Sequence, residues 1–403
     1  MSKHDDSEAS LWFFVLPLLL LNLMINVDHL VVVPLSAEIS KATGLPLAKS
    51  GLLVSVYPIA SAISAFLLAP FSDRWGRKKV ILIFGVGFSL ATFGCGFSST
   101  AEQIFTFRIL SGIFAGPILP NALAYASDSF TGEKRAKALT SLLLAFSMAS
   151  IMGVPIGAWL GERYSWQAPF FILGGASLLS LGLIMLLKPV PTGAGTGSII
   201  QQYRELFDLL KIPRVRKVFA ILFFMLIGLF GFVPNISVWL SSNYGMGAAE
   251  IGFCYMQGGV GALIGNYLSG YLLGKGYRTG IISVGCVIMG GFLYVATLDV
   301  VPVAYTGVMF AGIMFGGTLR VPAYQMILSG MVPIHLRGRL TSLSMVIGNL
   351  TMGLGGIWAI PLLEFKDDHL YGMDTVGLIA GLSLLAIPFL INALRKKPQT
   401  ETY

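Results

Sequence analysis

The chain is a succession of long apolar runs separated by short polar interruptions. Twelve runs stand out, near 11–35, 48–70, 79–98, 103–126, 138–160, 168–187, 215–240, 250–274, 279–298, 302–328, 340–363 and 375–394. Each is close to the roughly 20 residues that carry a helix across a hydrocarbon core. Helix is the default for such runs, because every backbone amide must find its partner within the segment. The pattern predicts an all-α membrane protein with twelve transmembrane helices.

The interruptions carry the charge. The densest is Ser72-Asp73-Arg74-Trp75-Gly76-Arg77-Lys78-Lys79, four cations against one acid between the second and third runs. Lys and Arg accumulate in cytoplasmic loops, which places this loop inside. With the N-terminus also inside, inner segments hold 21 of the 27 cations and outer loops four, Lys41, Lys49, Arg163 and Lys366. The remaining two, Arg108 and Arg320, lie within spans. One missed or invented helix in the middle would destroy this bias, which supports the even count and puts both termini in the cytoplasm. The polar segment 1–10 lacks a basic n-region, so the first span is expected to be retained as a helix.

Between spans six and seven, Pro189-Val190-Pro191-Thr192-Gly193-Ala194-Gly195-Thr196-Gly197-Ser198 reads as a flexible linker. Ile199, Tyr203, Leu206, Phe207 and Leu210 then recur at helical spacing, predicting an amphipathic helix on the inner membrane surface. The expected layout is a tail (1–10), a six-helix bundle (11–187), a cytoplasmic linker (188–214), a second bundle (215–394) and a tail (395–403). The bundles read as copies. Leu139-Thr140-Ser141-Leu142 returns 201 residues later as Leu340-Thr341-Ser342-Leu343, and at the same offset Arg74 matches Lys275 and Arg77 matches Arg278. Two parallel six-helix repeats joined by a linker are a transporter architecture.

Composition agrees: 55% of residues are apolar and 11% charged, against about a quarter charged in soluble domains. The net charge of +8 sits in the loops, which argues against nucleic acid. Cys95, Cys254 and Cys286 fall in apolar runs without metal or CxxC spacing and read as small core residues. No phosphate loop, zinc spacing or nucleophile–base pair appears, so neither a metal, a cofactor nor an enzymatic activity is expected.

The run 69–79 resembles the signature loop of the major facilitator superfamily, Gly-x-Leu-x-Asp-Arg-x-Gly-Arg-Lys. Ala69 stands for the first Gly and Phe71 for the Leu, while Asp73, Arg74, Gly76, Arg77 and Lys78 match. Arg108-x-x-x-Gly112 is similar to the Arg-x-x-Gln-Gly motif of its drug:proton antiporter branch, with Ser111 in place of Gln. Gly153-Val154-Pro155-Ile156-Gly157 is similar to that branch's Gly-Pro-x-x-Gly motif, split by Val154. The resemblance implies a cytoplasmic latch built on Asp73, Arg74, Gly76, Arg77 and Asp128, and a central cavity lined by spans one, two, four, five, seven, eight, ten and eleven.

Asp28 is the only acid well inside a span. A lone carboxylate there costs about 2.5–3.5 kcal/mol, so it must face a cavity or a partner. Two readings stay open: a proton carrier tuned by Arg108, or a static ion pair with it. His29 points about 100° away and reads as a satisfied polar residue. Arg320, in Gly316-Gly317-Thr318-Leu319-Arg320-Val321-Pro322, has no acid at comparable depth in its half. It serves either an acidic group on the substrate or carbonyls near Pro322. Tyr57, Asn121, Asn235, Tyr255, Gln257 and Tyr324, with Tyr125, Asn266 and Asn349, suggest as a group a cavity for a drug-sized molecule. Gly153, Pro155 and Gly157 mark a bend in span five. The sequence therefore predicts a monomeric inner-membrane transporter that moves a small organic solute by alternating access, with proton-driven export favoured. An importer or facilitator of an organic anion using Arg320 is the alternative. A membrane enzyme or lipid-handling protein would need a catalytic constellation that is not found.

Overall fold

The structure, a computed structural model, describes residues 2–190, 199–277, 279–298, 301–333 and 336–395. Most of the expected linker (191–198), Arg278 and the tail 396–403 lie outside them. The first half comprises α1 (Ser2–Thr43), α2 (Gly51–Trp75), α3 (Arg77–Phe97), α4 (Ala101–Ala115), α5 (Ile118–Ser129), α6 (Gly132–Met148), α7 (Val154–Arg163) and α8 (Ala168–Met185). After α9 (Ile199–Lys211) come α10 (Pro213–Phe232), α11 (Ile236–Tyr244), α12 (Ala248–Gly274), α13 (Thr279–Ala296), α14 (Thr306–Leu319), α15 (Val321–Ser329), α16 (Arg337–Ala359) and α17 (Met373–Arg395). A short hairpin, Glu364–Lys366 with His369–Tyr371, sits before α17.

Among the described residues, ten stretches are long and apolar enough to cross a membrane. The other two spans are α12, whose glycines, Gln257 and Asn266 dilute its hydropathy, and the α14–α15 pair, whose members are short singly. The result is an all-α fold of twelve spans in two six-helix pseudo-repeats.

Several spans are interrupted, each beside a proline. It lacks an N–H and its ring crowds the carbonyl four residues back. Span four divides into α4 and α5 at Gly116-Pro117. Span seven divides at Pro234-Asn235, where Asn235 Nδ2 donates to Gly231 O at 2.9 Å. Span ten divides at Arg320, two residues before Pro322. In span five the helix widens to a π turn, Ala149–Gly153, just ahead of Pro155. The helix of span one runs on to Thr43 rather than ending near 35, and Ser36 and Thr43 turn their hydroxyls back to Val33 O and Ile39 O within it.

The halves are packed together on one face and parted on the other. Away from the Arg74–Lys79 loop, one buried apolar cluster joins Leu35, Ile39, Val154 and Ala158 of the first half to Ile236, Trp239, Met246 and Ile251 of the second. Glycine permits the approach. A Cβ at Gly252 would lie 2.7 Å from Ala158 Cβ and 3.2 Å from Pro155 Cα. Two polar contacts cross the seam: Ser237 Oγ donates to Pro34 O at 2.9 Å, and Ala249 N–H donates to Glu162 Oε2 at 2.6 Å. The second places a carboxylate from the end of α7 on the N-terminus of α12, where free amides and the helix dipole favour negative charge.

Losing such a cap costs about 1 kcal/mol, roughly a fivefold change in a two-state equilibrium. Glu162→Ala is therefore expected to open this face more often. The check is the labelling rate of a cysteine placed at Met246, in a background lacking the native cysteines, with a membrane-impermeant thiol reagent. The rate should rise about fivefold, and an unchanged rate would show that the cap plays no part in closure.

Candidate functional site

Toward the Arg74–Lys79 loop the halves enclose a cavity of about 1170 Å³. Its walls come from spans one, two, four, five and eleven, and α9 borders its mouth. The floor is amide-rich. Asn22 and Asn26 of α1, Asn121 of α5 and Asn349 of α16 face it, with His29 and Tyr57. On α1 the positions 22, 26 and 29 follow the spacing of one helix face. That polar stripe is the signal that sequence reasoning missed for Asn22 and Asn26. Each amide is oriented by its own helix: Asn22 Nδ2 donates to Leu18 O and Asn121 Nδ2 to Pro117 O, both at 2.7 Å. Their oxygens, Oδ1, are buried without a partner, and so are Tyr57 OH and His29 Nδ1. His29 is thus not the satisfied polar residue expected from sequence; it stacks on Tyr57 at 5.0 Å between ring centroids.

Behind this wall lies the ion pair. Arg108 Nη1 donates to Asp28 Oδ2 at 2.7 Å and to Asp28 O at 3.2 Å, with both side chains 0% exposed. Thr92 Oγ1 donates to Asp28 Oδ1 at 3.4 Å. The guanidinium carbon sits 4.5 Å from the Tyr57 ring centroid. Spans one, two, three and four therefore converge on one point. The close fit of α4 to α2 is permitted by Gly112, where a Cβ would lie 2.5 Å from Tyr57 O. Arg108 Nε and Nη2 are left unpartnered.

The other expected residues lie elsewhere. Arg320 is 2% exposed and does not line this cavity. Its Nη2 donates to Met225 O at 2.7 Å and contacts Met289 Sδ at 2.9 Å, while Nε donates to Gly317 O at 3.3 Å. Tyr255 packs edge-on against Phe310 at 5.2 Å, and Tyr324 OH meets Ser344 Oγ at 3.5 Å. Gln257 abuts Gly307, and Asn235 abuts Gly51. Of the six uncharged candidates, only Tyr57 and Asn121 line the cavity. Spans seven and eight meet the first half on the opposite face through α11 and α12, while span ten packs inside the second half against α12 and α13. The three cysteines are free and buried.

At the basic loop, Gly76 has φ 88°, a left-handed turn that suits glycine and separates α2 from α3. Arg77 Nε lies 3.8 Å from Asp128 Oδ2. Both belong to the first half, so the pair holds the loop to the end of α5 without itself bridging the halves. Arg74 ends α2, and the side chain of Asp73 lies outside the described set. Lys78 Nζ donates to Met185 O at 2.8 Å at the C-terminal end of α8. In span five, a Cβ at Gly157 would lie 2.5 Å from Val31 Cγ2, and Gly153 meets Val27 one turn earlier. These glycines seat span five against span one, and Pro155 lies against Gly252 of α12.

Removing one member of a buried ion pair costs about 3–5 kcal/mol, because the other charge is left uncompensated. Arg108→Met is expected to destabilise the protein by that order, and adding Asp28→Asn should recover most of the loss. Thermal unfolding of the purified variants checks both statements.

Comparison with known proteins follows the geometry. The sequence model of the Major Facilitator Superfamily matches residues 18–356. The uncharacterized MFS-type transporter YwfA of Bacillus subtilis is 27% identical over 93% of this chain and 90% of its own length. Multidrug resistance protein 1 of Bacillus subtilis is 29% identical over 61% of this chain. The chain spans 63% of that relative's length. Among solved structures, the nucleoside transporter NupG (D323A mutant) superposes with a TM-score of 0.73 at 16% identity, covering 95% of this chain and 100% of its own. The paired six-helix halves, the basic loop and the family match together show that this chain is a multi-pass membrane transporter of the major facilitator superfamily, and not an enzyme.

Proposed function

We propose that this transporter is a proton-coupled exporter of a drug-sized organic compound or metabolite, working by alternating access. The observation that carries the reading is the Asp28–Arg108 pair, 2.7 Å apart, beneath the Tyr57–His29 wall of the cavity. A carboxylate beside a guanidinium keeps its charge; the same group separated from it at membrane depth takes up a proton. A shift of span one against span four inside the first half, linked to rocking of the halves, would part and rejoin this pair, binding a proton on one side and releasing it on the other. Arg108 holds the carboxylate charged, and its unpartnered Nε and Nη2 give it donors for another acceptor when the pair opens. The similarity to Multidrug resistance protein 1 supports the efflux direction.

In this scheme the cavity opens to the cytoplasm of a cell with the chain in its inner membrane, both termini inside, as the charge bias requires. Asp73, Arg74, Gly76, Arg77 and Asp128 act as the latch that secures this side when the cavity closes. Gly153, Pro155 and Gly157 form the bend in span five, and the working unit is a monomer. A second reading, import or facilitated passage of an organic anion, draws on the arginines at the cavity mouth, Arg77, Arg135, Arg337 and Arg339. It does not draw on Arg320, which the carbonyls of Met225 and Gly317 engage.

Asp28→Asn removes the titrating group while keeping its shape. In reconstituted vesicles this variant is expected to lose transport driven by a pH gradient and to retain exchange of substrate down its own gradient. Undiminished pH-driven transport would remove Asp28 from the coupling mechanism.

A further inference from the structure

The cavity's chemistry narrows the kind of solute it takes. Four side chains that line it and are at least nine-tenths buried each carry a polar atom without a partner: Asn22 Oδ1, Asn121 Oδ1, Tyr57 OH and His29 Nδ1. The two amide oxygens are acceptors, and each amide gives one N–H to a carbonyl of its own helix. The phenol and imidazole accept or donate according to the hydrogen they present. Buried acceptors left unmet are costly, and a site built to bond a substrate's O–H or N–H rejects analogues that lack it. The partner that satisfies this wall carries several hydrogen-bond donors on one edge.

The charge balance weighs against a cation. Among the described residues that line the cavity, the charged ones are Arg77, Arg135, Arg337, Arg339 and Glu205. The one carboxylate, on Glu205, is engaged by Arg339 at 2.6 Å. Asp28 is sealed behind the wall by Arg108, and the Tyr57 ring already receives that guanidinium. A cation in the cavity would meet no free carboxylate among the described lining residues; the aromatic rings there besides Tyr57 are Phe66 and Phe146, which offer it a face but no charge. A basic rim is general to cytoplasmic faces, so the floor decides: it is neutral, amide-rich and acceptor-rich.

We propose that the cavity binds an uncharged or anionic solute bearing several hydroxyl or N–H donors, and discriminates against organic cations. This rests on the cavity being the transport site.

The test uses purified full-length protein in lipid nanodiscs and three probes: uridine, 3,4-dihydroxybenzoate and tetraphenylphosphonium, with binding read by calorimetry. At least one hydroxylated probe should bind, and at least tenfold more tightly than the phosphonium. Uridine and the benzoate separate the uncharged from the anionic case. Asn121→Ala should weaken the hydroxylated probe about tenfold, and Asn121→Asp, which places a carboxylate on the floor, should admit the phosphonium. If the Asn121 variants do not fold, Asn22→Ala and Asn22→Asp serve the same purpose. Tighter binding of the phosphonium by the unaltered protein, no binding of either hydroxylated probe, or indifference to these substitutions would each overturn the proposal. Binding requires no gradient, so loss of pH-driven flux with this binding pattern intact would count against the coupling reading alone.

Discussion

The contact on which this structure turns is the ion pair between Asp28 and Arg108. Two charges at membrane depth cannot be hydrated, so their geometry has to be good and their remaining valences shared. The first half meets that demand by drawing four spans to one point: Asp28 on span one, Tyr57 on span two, Thr92 on span three and Arg108 on span four. The second half has a buried arginine too, yet no acid beside it. Arg320 ties the break in span ten to Met225 on span seven and to Cys286 and Met289 on span nine, through a carbonyl and two sulfurs. One hub can neutralise its charge by proton transfer and the other cannot, since a guanidinium stays charged. The halves share a fold and differ at the group that could couple to a proton.

Each hub lies inside one half, so movement of one half against the other falls on the seam between them. That seam is lined where it is tightest by small residues. Gly252 meets Ala158, Gly259 meets Ile151, and Gly353 and Gly356 meet Ile59 and Ser55. Backbones that pack through glycine interlock little, which suits surfaces that slide. The linker helix α9 touches both sides at the cavity mouth: Tyr203 OH donates to Leu67 O of α2 at 2.6 Å, and Glu205 pairs with Arg339 of α16. On its apolar side Tyr203 and Phe207 meet Phe66 of α2, while Ile200 and Phe207 stay exposed.

Much of this was legible in the residues, for identifiable reasons. Hydropathy and charge count spans because lipid allows few alternatives, and the repeat showed in Leu139-Thr140-Ser141-Leu142 and its copy. The Asp28–Arg108 contact followed from two lone charges at similar depth. The breaks in spans four, seven and ten were marked by prolines whose consequences depend on which side chain or carbonyl stands nearby. Asn235, Tyr255, Gln257 and Tyr324 could not be placed from sequence, because Asn235 meets Gly51 across the seam while the other three pack on Phe310, Gly307 and Ser344 inside the second half. Asn22 and Asn26 were passed over although their stripe with His29 was present in the sequence. Taken one at a time, asparagines look like interhelical bonds, and the information lay in their spacing.

The placement of the amide floor relative to the ion pair matters for how a solute could influence a proton. Tyr57 belongs to both: its hydroxyl is unpartnered at the cavity wall, and its ring covers the guanidinium of Arg108. His29 stacks on the same ring and is the next residue to Asp28. A solute that engages the hydroxyl therefore acts on a side chain whose position helps seal the pair. If the ring shifts, Arg108 loses a neighbour while Nε and Nη2 are still without partners, and the pair becomes easier to part. Coupling between solute and proton in this protein would then need no long pathway, because one tyrosine separates the two sites.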